Sequence, residues 1–571
     1  MYQNKKRAIY VSNPSRKRLI AVFSVFAFCY VLLLLKLLTF QVVRDEKLQI
    51  LTRKQETKTI TLTSPRGTIF DRTMRALAVS IKVPSVYIDP KILEIEDDKI
   101  RKLLSILKMP KSIWQKKIKN KDRRFVWLQR KINPNVEKSI RDLKIYGLGI
   151  TYEWDRLYPD REFASQVLGF VNLDGKGVEG IERRYDESLY SDGVKLITQP
   201  DGKGRSTLVS KSLDLERKKG FDIVLTIDSG LQYFLEKEIA EAARTYHVEA
   251  GFGTIMDPYT GKVLAMASYP QMNPNRIDQS SASSRKNRNV LEVFEPGSTF
   301  KAFVMTQALE DGIVKPGEQM NCEEGTLWIG KKKIHNPVQK TWLTPEGVIK
   351  YSNNVCMAKI GMQGGKDLMQ KVIHNFGFGQ KTGIDFPAES PGLFDPNRKW
   401  RDMRLANLAF GQGISVTSIQ MVQAMSVIAN GGWLVQPYVV EKMITGTGKV
   451  LDVAPQGRKQ KMYSEKTIAE MIKYLTAVTQ PDGTGKRARI DGYEVAGKTG
   501  TAQIYDPKTQ SYSHDHVVSS FLGFVPAENP AMVAYIVLYQ PKEGEHGGTI
   551  AAPVFQNVMQ NALPYMDIEQ Q

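Results

Sequence analysis

Cysteine and histidine are scarce in this chain. Only Cys29, Cys322, Cys356 and six His occur in 571 residues, with no C-x-x-C and no H-E-x-x-H. These absences exclude the common zinc spacings, and no disulfide framework is read from three cysteines. A Cys322–Cys356 bridge is possible but not expected. His514 and His516 fall in the polar stretch SYSHDH, which reads as a solvated loop rather than a metal site. Acid is missing from the first 18 residues, which carry Lys5, Lys6, Arg7, Arg16, Lys17 and Arg18. A second long apolar run is missing too. One G-x-G-x-x-G occurs, Gly175 to Gly180, but the βαβ texture a dinucleotide site needs is absent around it. Its glycines read as tight turns.

The one long apolar run, residues 19–40 (LIAVFSVFAFCYVLLLLKLLTF), is broken only by Ser24, Lys36 and Thr39. As a helix it reaches roughly 33 Å, enough to cross a bilayer core. Lys36 lies near the far end, where its stem can snorkel. The basic residues before the run predict a cytoplasmic N-terminus and an extracytoplasmic remainder. The expected localisation is the cytoplasmic (inner) membrane, single-pass, with the bulk of the chain extracytoplasmic or periplasmic. Nucleic acid is excluded as a partner by that compartment. The net charge of +20 is concentrated: residues 101–145 hold fifteen Lys/Arg against three Asp/Glu. Such a run reads as a solvated helical face or as a docking site for an anionic partner, such as lipid headgroups or an anionic polymer.

After the apolar run, TKTITLTS (57–64) and SVYIDP (85–90) read as strands, and the Gly-rich stretch near 196–220 as long turns or a hairpin. The texture changes at about 222. FDIVLTID reads as a strand and LQYFLEKEIAEAARTY as a helix. FGTIMDPYTGKVLAMASYP reads as a β-hairpin around Asp257–Gly261.

The stretch EPGSTFKAF (295–303) places Ser298 and Lys301 three residues apart behind a Pro-Gly pair. On a helix, positions i and i+3 share a face. A serine needs a base within reach to act as a nucleophile, and a lysine becomes one only if burial or positive neighbours lower its pKa. The bland alternative is a helix start with a capping serine and a solvated lysine. S-x-x-K alone is weak, because Ser283–Lys286 repeats it in a polar loop. Its company strengthens it: Ser352-Asn353-Asn354 follows after 54 residues, and Lys498-Thr499-Gly500-Thr501 after another 146.

Together these motifs resemble the serine acyltransferases that bind penicillin. The likeness extends to GTIMDPYTGKVLAMASYPQMNPN, FGFGQKTGIDFPAE, FGQGISVTSIQ, SPRGTIFDR (64–72), FVWLQRKI (125–132) and DGKGVEGIERRYD (174–186). The chain most resembles class B penicillin-binding proteins, monofunctional DD-transpeptidases of peptidoglycan, and among them the septal, cell-division type. The resemblance implies an α+β fold: one N-terminal transmembrane helix, an elongated β-rich pedestal, and a serine β-lactamase-like transpeptidase domain whose central antiparallel sheet has helices on both sides. The expected division is a basic tail (1–18), the transmembrane helix (19–40), a non-catalytic, dimerisation-like pedestal (41–221), a transpeptidase domain (222–564) and a tail (565–571).

The resemblance also assigns roles. Ser298 is the nucleophile, Lys301 its base, Ser352 a proton relay and Lys498 its electrostatic support. Asn354, Thr499, Gly500 and Thr501 bind substrate, with the Ser298 and Thr501 N–H groups as oxyanion hole. The implied partners are peptidoglycan stem peptides, β-lactams bound covalently at Ser298, a polytopic membrane glycosyltransferase, divisome proteins and the membrane. No cofactor and no metal is implied. Asn353 stands where the family often has Asp, and Thr73-Met74 where it often has Asn-Gly. Arg66, Gly67, Asp71 and Arg72 read as a buried ion-pair and turn network. An elongation-type transpeptidase, a DD-carboxypeptidase and a β-lactamase-like hydrolase stay open as alternatives. Against the last, no E-x-x-x-N suited to deacylation follows Asn354. An idle scaffold is disfavoured by the complete motif set, and a β-lactam sensor by the lack of a cytoplasmic effector domain in the sequence.

Overall fold

The computed structural model describes residues 13–42, 58–62, 64–190, 194–200, 206–208, 219–336, 339–455, 460–506, 511–544 and 546–570. Contacts divide the chain into two units, 1–62 with 193–215, and 63–192 with 216–571.

In the first unit the helix Asn13–Val42 contains an apolar stretch, Arg16–Thr39, of mean hydropathy 2.5. Its side chains from Leu19 to Leu38 are exposed. In water that surface is unfavourable by about 25 cal/mol per Å², whereas a bilayer accommodates it. The helix is thus long and apolar enough for a single-pass anchor. The expected strand at 57–64 is Lys58–Leu62, paired antiparallel with Val194–Pro200. That strand pairs in turn with Ser206–Leu208, the hairpin expected near 196–220.

The second unit opens on a mixed sheet. Its strands run in the order Val450–Asp452, Val440–Ile444, Asp222–Leu225, Ile69–Phe70, Ala76–Ile88 and Val126–Gln129, with Leu148–Leu157 also on Ala76–Ile88. Asp222–Leu225 pairs parallel with Ile69–Phe70 and antiparallel with Val440–Ile444, so one sheet carries strands from both sides of residue 222. The basic segment folds as the helices Asp97–Ile106, Lys111–Ile118 and Glu137–Asp142 around a small core of Leu103, Trp114, Leu128, Ile132 and Ile140. Most of its charges face outward. The G-x-G-x-x-G glycines do serve turns: Phe170–Val171 pairs with Gly177–Glu179, and Gly175 takes φ 80°.

The expected network of Arg66, Asp71 and Arg72 is present. Glu182, fully buried, receives Arg66 at 2.5 Å and Arg156 at 2.6 Å, and Arg66 also reaches Asp186 at 2.6 Å. Asp71 closes its turn by accepting from the Thr73 and Arg75 N–H groups, both at 2.8 Å. Met74 there takes φ 68°, a conformation glycine adopts without strain. Arg72 meets Asp228 at 3.0 Å. Asp228 caps the helix Ser229–Thr245 by accepting from the Gly230 and Leu231 N–H groups.

A five-stranded antiparallel sheet forms the centre of the second unit. Its order is Val263–Tyr269, Ala250–Met256, Met532–Tyr539, Ser511–Val525, Ala496–Asp506. The hairpin expected at 252–270 provides its first two strands. His514 and His516, expected in a loop, lie instead within Ser511–Val525, whose register against Ala496–Asp506 shifts between Gln503 and Tyr505. The sheet is buried on both faces, which period-2 alternation makes visible. Met532, Ala534, Ile536 and Leu538 pack with the helices Ser229–Thr245 and Gly547–Tyr565. Val533, Tyr535 and Val537 pack into the larger core with Lys301–Glu310, Asn354–Asn375 and Ser418–Ala429. All twelve residues of Ser418–Ala429 are buried, behind a capping box of Thr417 and Gln420. Ala496–Asp506 pairs on one side only, which makes it an edge strand.

Candidate active site

The serine turn is held against the edge strand by glycine. Gly297 takes φ 53°, donates to the Gly411 carbonyl at 3.1 Å, and leaves so little room that a Cβ would lie 3.0 Å from the Ala502 Cβ. Gly297–Phe300 is a 3₁₀ turn leading directly into the helix Lys301–Glu310. In a 3₁₀ turn side chains three apart eclipse, so Ser298 and Lys301 share a face. Ser298 is half-buried and caps neither piece; Pro296 is the N-cap of the turn and Phe300 that of the helix.

Lys301 is 0% exposed. Its Nζ donates to the Ser352 carbonyl at 2.7 Å and to Asn354 Oδ1 at 2.6 Å, and lies 3.2 Å from Ser352 Oγ. Two of these partners are pure acceptors, and they engage two N–H groups of the amine. In the neutral form the third direction is a lone pair, which the Ser352 hydroxyl faces. Among the described residues no hydrogen bond joins Lys301 to Ser298; such contacts commonly tighten only when substrate is bound. Burial pushes the Lys301 pKa well below its ordinary value, and the positive charge of Lys498 lowers it further.

The middle motif is built by two helix ends. Pro345–Lys350 stops, Ser352 turns the chain at φ 56°, and Asn353 caps Asn354–Asn375 by accepting from the Cys356 N–H at 2.8 Å. Asn and Asp cap equally well, which is why Asn353 can replace Asp. Asn354, the first residue of that helix, points its amide oxygen at Lys301.

Lys498 lies on the edge strand, also 0% exposed, and donates to the Thr499 carbonyl at 3.1 Å. Burial brings its pKa down to about 7. No carboxylate acts on either lysine among the described residues. Gly500 is required by close approach: a Cβ would lie 2.3 Å from Ser520 Oγ. Thr501 Oγ1 accepts from the Gly547 N–H at 3.1 Å, at the start of the helix Gly547–Tyr565. Ser298, Lys301, Ser352, Asn354 and Lys498–Thr501 thus lie on three neighbouring elements, although the chain separates them by up to 203 residues.

Three features escaped the sequence. Cys322 and Cys356 are bonded, with Cα atoms 5.0 Å apart, which corrects the expectation that they stay free. Thr484 joins two motifs, donating to the Lys350 carbonyl at 3.1 Å and accepting from Thr499 Oγ1 at 3.2 Å. Asn336 accepts from the Asn354 N–H at 2.6 Å. Neither polar residue carries a signal in a stretch that reads as turn.

Residues 251–560 match the family model for the penicillin binding protein transpeptidase domain, and 61–225 that for the penicillin-binding protein dimerisation domain. Stage V sporulation protein D of Bacillus subtilis is 33% identical over 572 residues, covering 98% of this chain and 87% of that protein. Peptidoglycan D,D-transpeptidase FtsI of Escherichia coli is 30% identical over 517 residues, covering 89% and 85%. Among solved structures, penicillin binding protein 3 of Mycobacterium tuberculosis complexed with aztreonam superposes with a TM-score of 0.69 at 25% identity, covering 90% of this chain and 98% of that one.

Proposed function

Starting from a chain that belongs to the penicillin-binding protein transpeptidase family and is a peptidoglycan D,D-transpeptidase, we propose that Ser298 is its nucleophile and neutral Lys301 its base. Ser298 Oγ attacks the penultimate D-Ala carbonyl of a stem peptide as its proton passes to Lys301. The oxyanion is held by the Ser298 and Thr501 N–H groups. Collapse breaks the amide C–N bond, and the terminal D-Ala leaves with a proton relayed through Ser352, supported by Lys498. Asn354 binds the substrate amide and steadies Lys301. Thr499 and Thr501, with Lys498, receive the substrate carboxylate, and Gly500 lets the peptide lie close along the edge strand. An acceptor amine from a neighbouring strand then attacks the ester, forming the cross-link and freeing Ser298. A β-lactam follows the first half of this course and stays bound at Ser298.

The observation that supports this most is Lys301: fully buried, without a carboxylate, one turn after the serine and bonded to the middle motif. Labelling with a fluorescent penicillin and peptide mapping by mass spectrometry tests it. The adduct is expected on Ser298 and absent from Ser298→Ala; an adduct elsewhere refutes the assignment.

The proposed division of labour is a non-catalytic pedestal at 41–221 and a catalytic domain at 222–564. The septal-type motifs support a role in division, beside a polytopic glycosyltransferase and divisome proteins. Depletion is expected to give filaments, and round cells would indicate elongation instead. Cross-linking of the full chain in membranes is expected to capture the glycosyltransferase, and its absence from the adducts counts against that partnership. The basic tail supports a cytoplasmic N-terminus. Protease added to spheroplasts should then cut the catalytic domain but spare the tail, and the reverse pattern rejects that orientation.

A further inference from the structure

Asn336 is 1% exposed and lies at the end of the strand Lys332–His335. Its Oδ1 accepts from the Asn354 N–H at 2.6 Å and the Val355 N–H at 3.1 Å, the first two donors of the Asn354–Asn375 helix. Because both facing groups are donors, the orientation of this amide is fixed. The neighbouring His335 carbonyl accepts from Asn354 Nδ2 at 3.1 Å. That bond fixes the second amide too: turned over, Asn354 would set its oxygen against a carbonyl and its N–H against the Lys301 amine. Residues 335 and 336 therefore hold both the backbone of Asn354 and the face it shows to Lys301.

One atom stands out. Asn336 Nδ2 is buried, with no hydrogen-bond partner among the described residues. An orphaned buried donor is destabilising. Aspartate would serve both N–H groups equally well, remove the orphan and suit the helix N-terminus. It would also add a negative charge to a lysine pocket that has none. We propose that Asn336 is a positioning residue whose neutral amide holds Asn354 against Lys301 while keeping a carboxylate out of that pocket. This rests on the assignment of Lys301 as base.

The charged groups on elements around Lys301 are otherwise cationic or already engaged. Lys498 is on the edge strand, and Lys350 pairs with Asp482, Lys359 with Glu323 and Lys473 with Glu346. Glu295 accepts from the Gly413 N–H, and His335 has an exposed side chain.

The test is the pH profile of acylation by a fluorescent penicillin, using the detergent-solubilised full chain. Asn336→Asp keeps both cap bonds, so it should fold with an unchanged or higher Tm. Its acidic limb should move up by about one pH unit, giving roughly tenfold slower acylation on that limb and a wild-type rate on the alkaline plateau. Asn336→Ala, which loses the cap, should lower the plateau itself about tenfold or more without that shift. An Asn336→Asp profile superimposed on wild type overturns the proposal, as does a full plateau rate in Asn336→Ala. If the alanine variant does not fold, the aspartate profile decides alone. Ser298→Ala separates the two readings: labelling that survives it removes the catalytic assignment, whereas silence there with an unshifted Asn336→Asp profile removes only this inference.

Discussion

Two buried cationic clusters occupy the same compact unit and are treated oppositely. In the 63–192 region Arg66 and Arg156 converge on Glu182, with Asp186 behind, so positive charge is neutralised by negative charge. In the sheet-and-helix region Lys301 and Lys498 are equally buried, yet backbone carbonyls, hydroxyls and an amide surround them. Arginine cannot lose its proton in a protein, so burying it demands a counter-ion. Lysine can, and without a counter-ion it does. The first arrangement holds a fold together. The second produces a neutral amine, which the proposed mechanism uses as a base.

Removing the counter-ion from the first cluster gives the largest expected effect. Glu182→Ala leaves the buried Arg156 guanidinium without a carboxylate and Arg66 with Asp186 alone, and should lose about 3–5 kcal/mol in urea unfolding. The molecules that remain folded should acylate at the wild-type rate, and a slowed rate per folded molecule would break the separation between the clusters. The converse change introduces a counter-ion into the second. Asn354→Asp should hold Lys301 protonated and slow penicillin acylation about 10²-fold or more at neutral pH, with stability retained. An unaffected rate would mean that Lys301 does not act as a free amine.

A smaller effect concerns pH and stability. The folded Lys498 has a pKa of about 7 against an ordinary 10.5. Between those values the unfolded chain binds more protons than the folded one, so stability rises with pH across that window. The cost of burying the charge is present in full below about pH 7 and fades toward 10.5. Lys498→Met has no such term. Its Tm advantage over wild type should therefore shrink between about pH 7 and 9, and parallel curves would contradict the depressed pKa. The same variant should acylate far more slowly while staying folded. Smallest of all is the exposed pair Asp98–Lys102 on the basic lobe. Asp98→Ala should leave Tm unchanged, because water already solvates both charges. A clear drop there would show that pairing matters even at the surface.

The part of this contrast legible in sequence was the part written in local pattern. The hairpin at 250–269 is two alternating apolar runs around Asp257–Gly261, and a Pro-Gly pair stands before Ser298. The Ser298, Ser352 and Lys498 motifs stand in an order that the resemblance could interpret. What was not legible depends on contacts across the fold. Asn336 and Thr484 are single polar residues in turn-like text, and their roles exist only once Asn354 and Thr499 come to meet them. The Cys322–Cys356 bond joins residues 34 apart, and nothing local distinguishes that spacing. That no carboxylate acts on Lys301 among the described residues is a property of the folded neighbourhood, while the adjacent sequence contains Glu295 in plain view.

The most direct test is the pH dependence of wild-type acylation by a fluorescent penicillin. If Lys301 is the neutral base, the rate should reach its plateau well below the ordinary lysine range and fall only on further acidification. A rate still climbing tenfold per pH unit through about pH 9–10, as a solvated lysine of ordinary pKa demands, would contradict it.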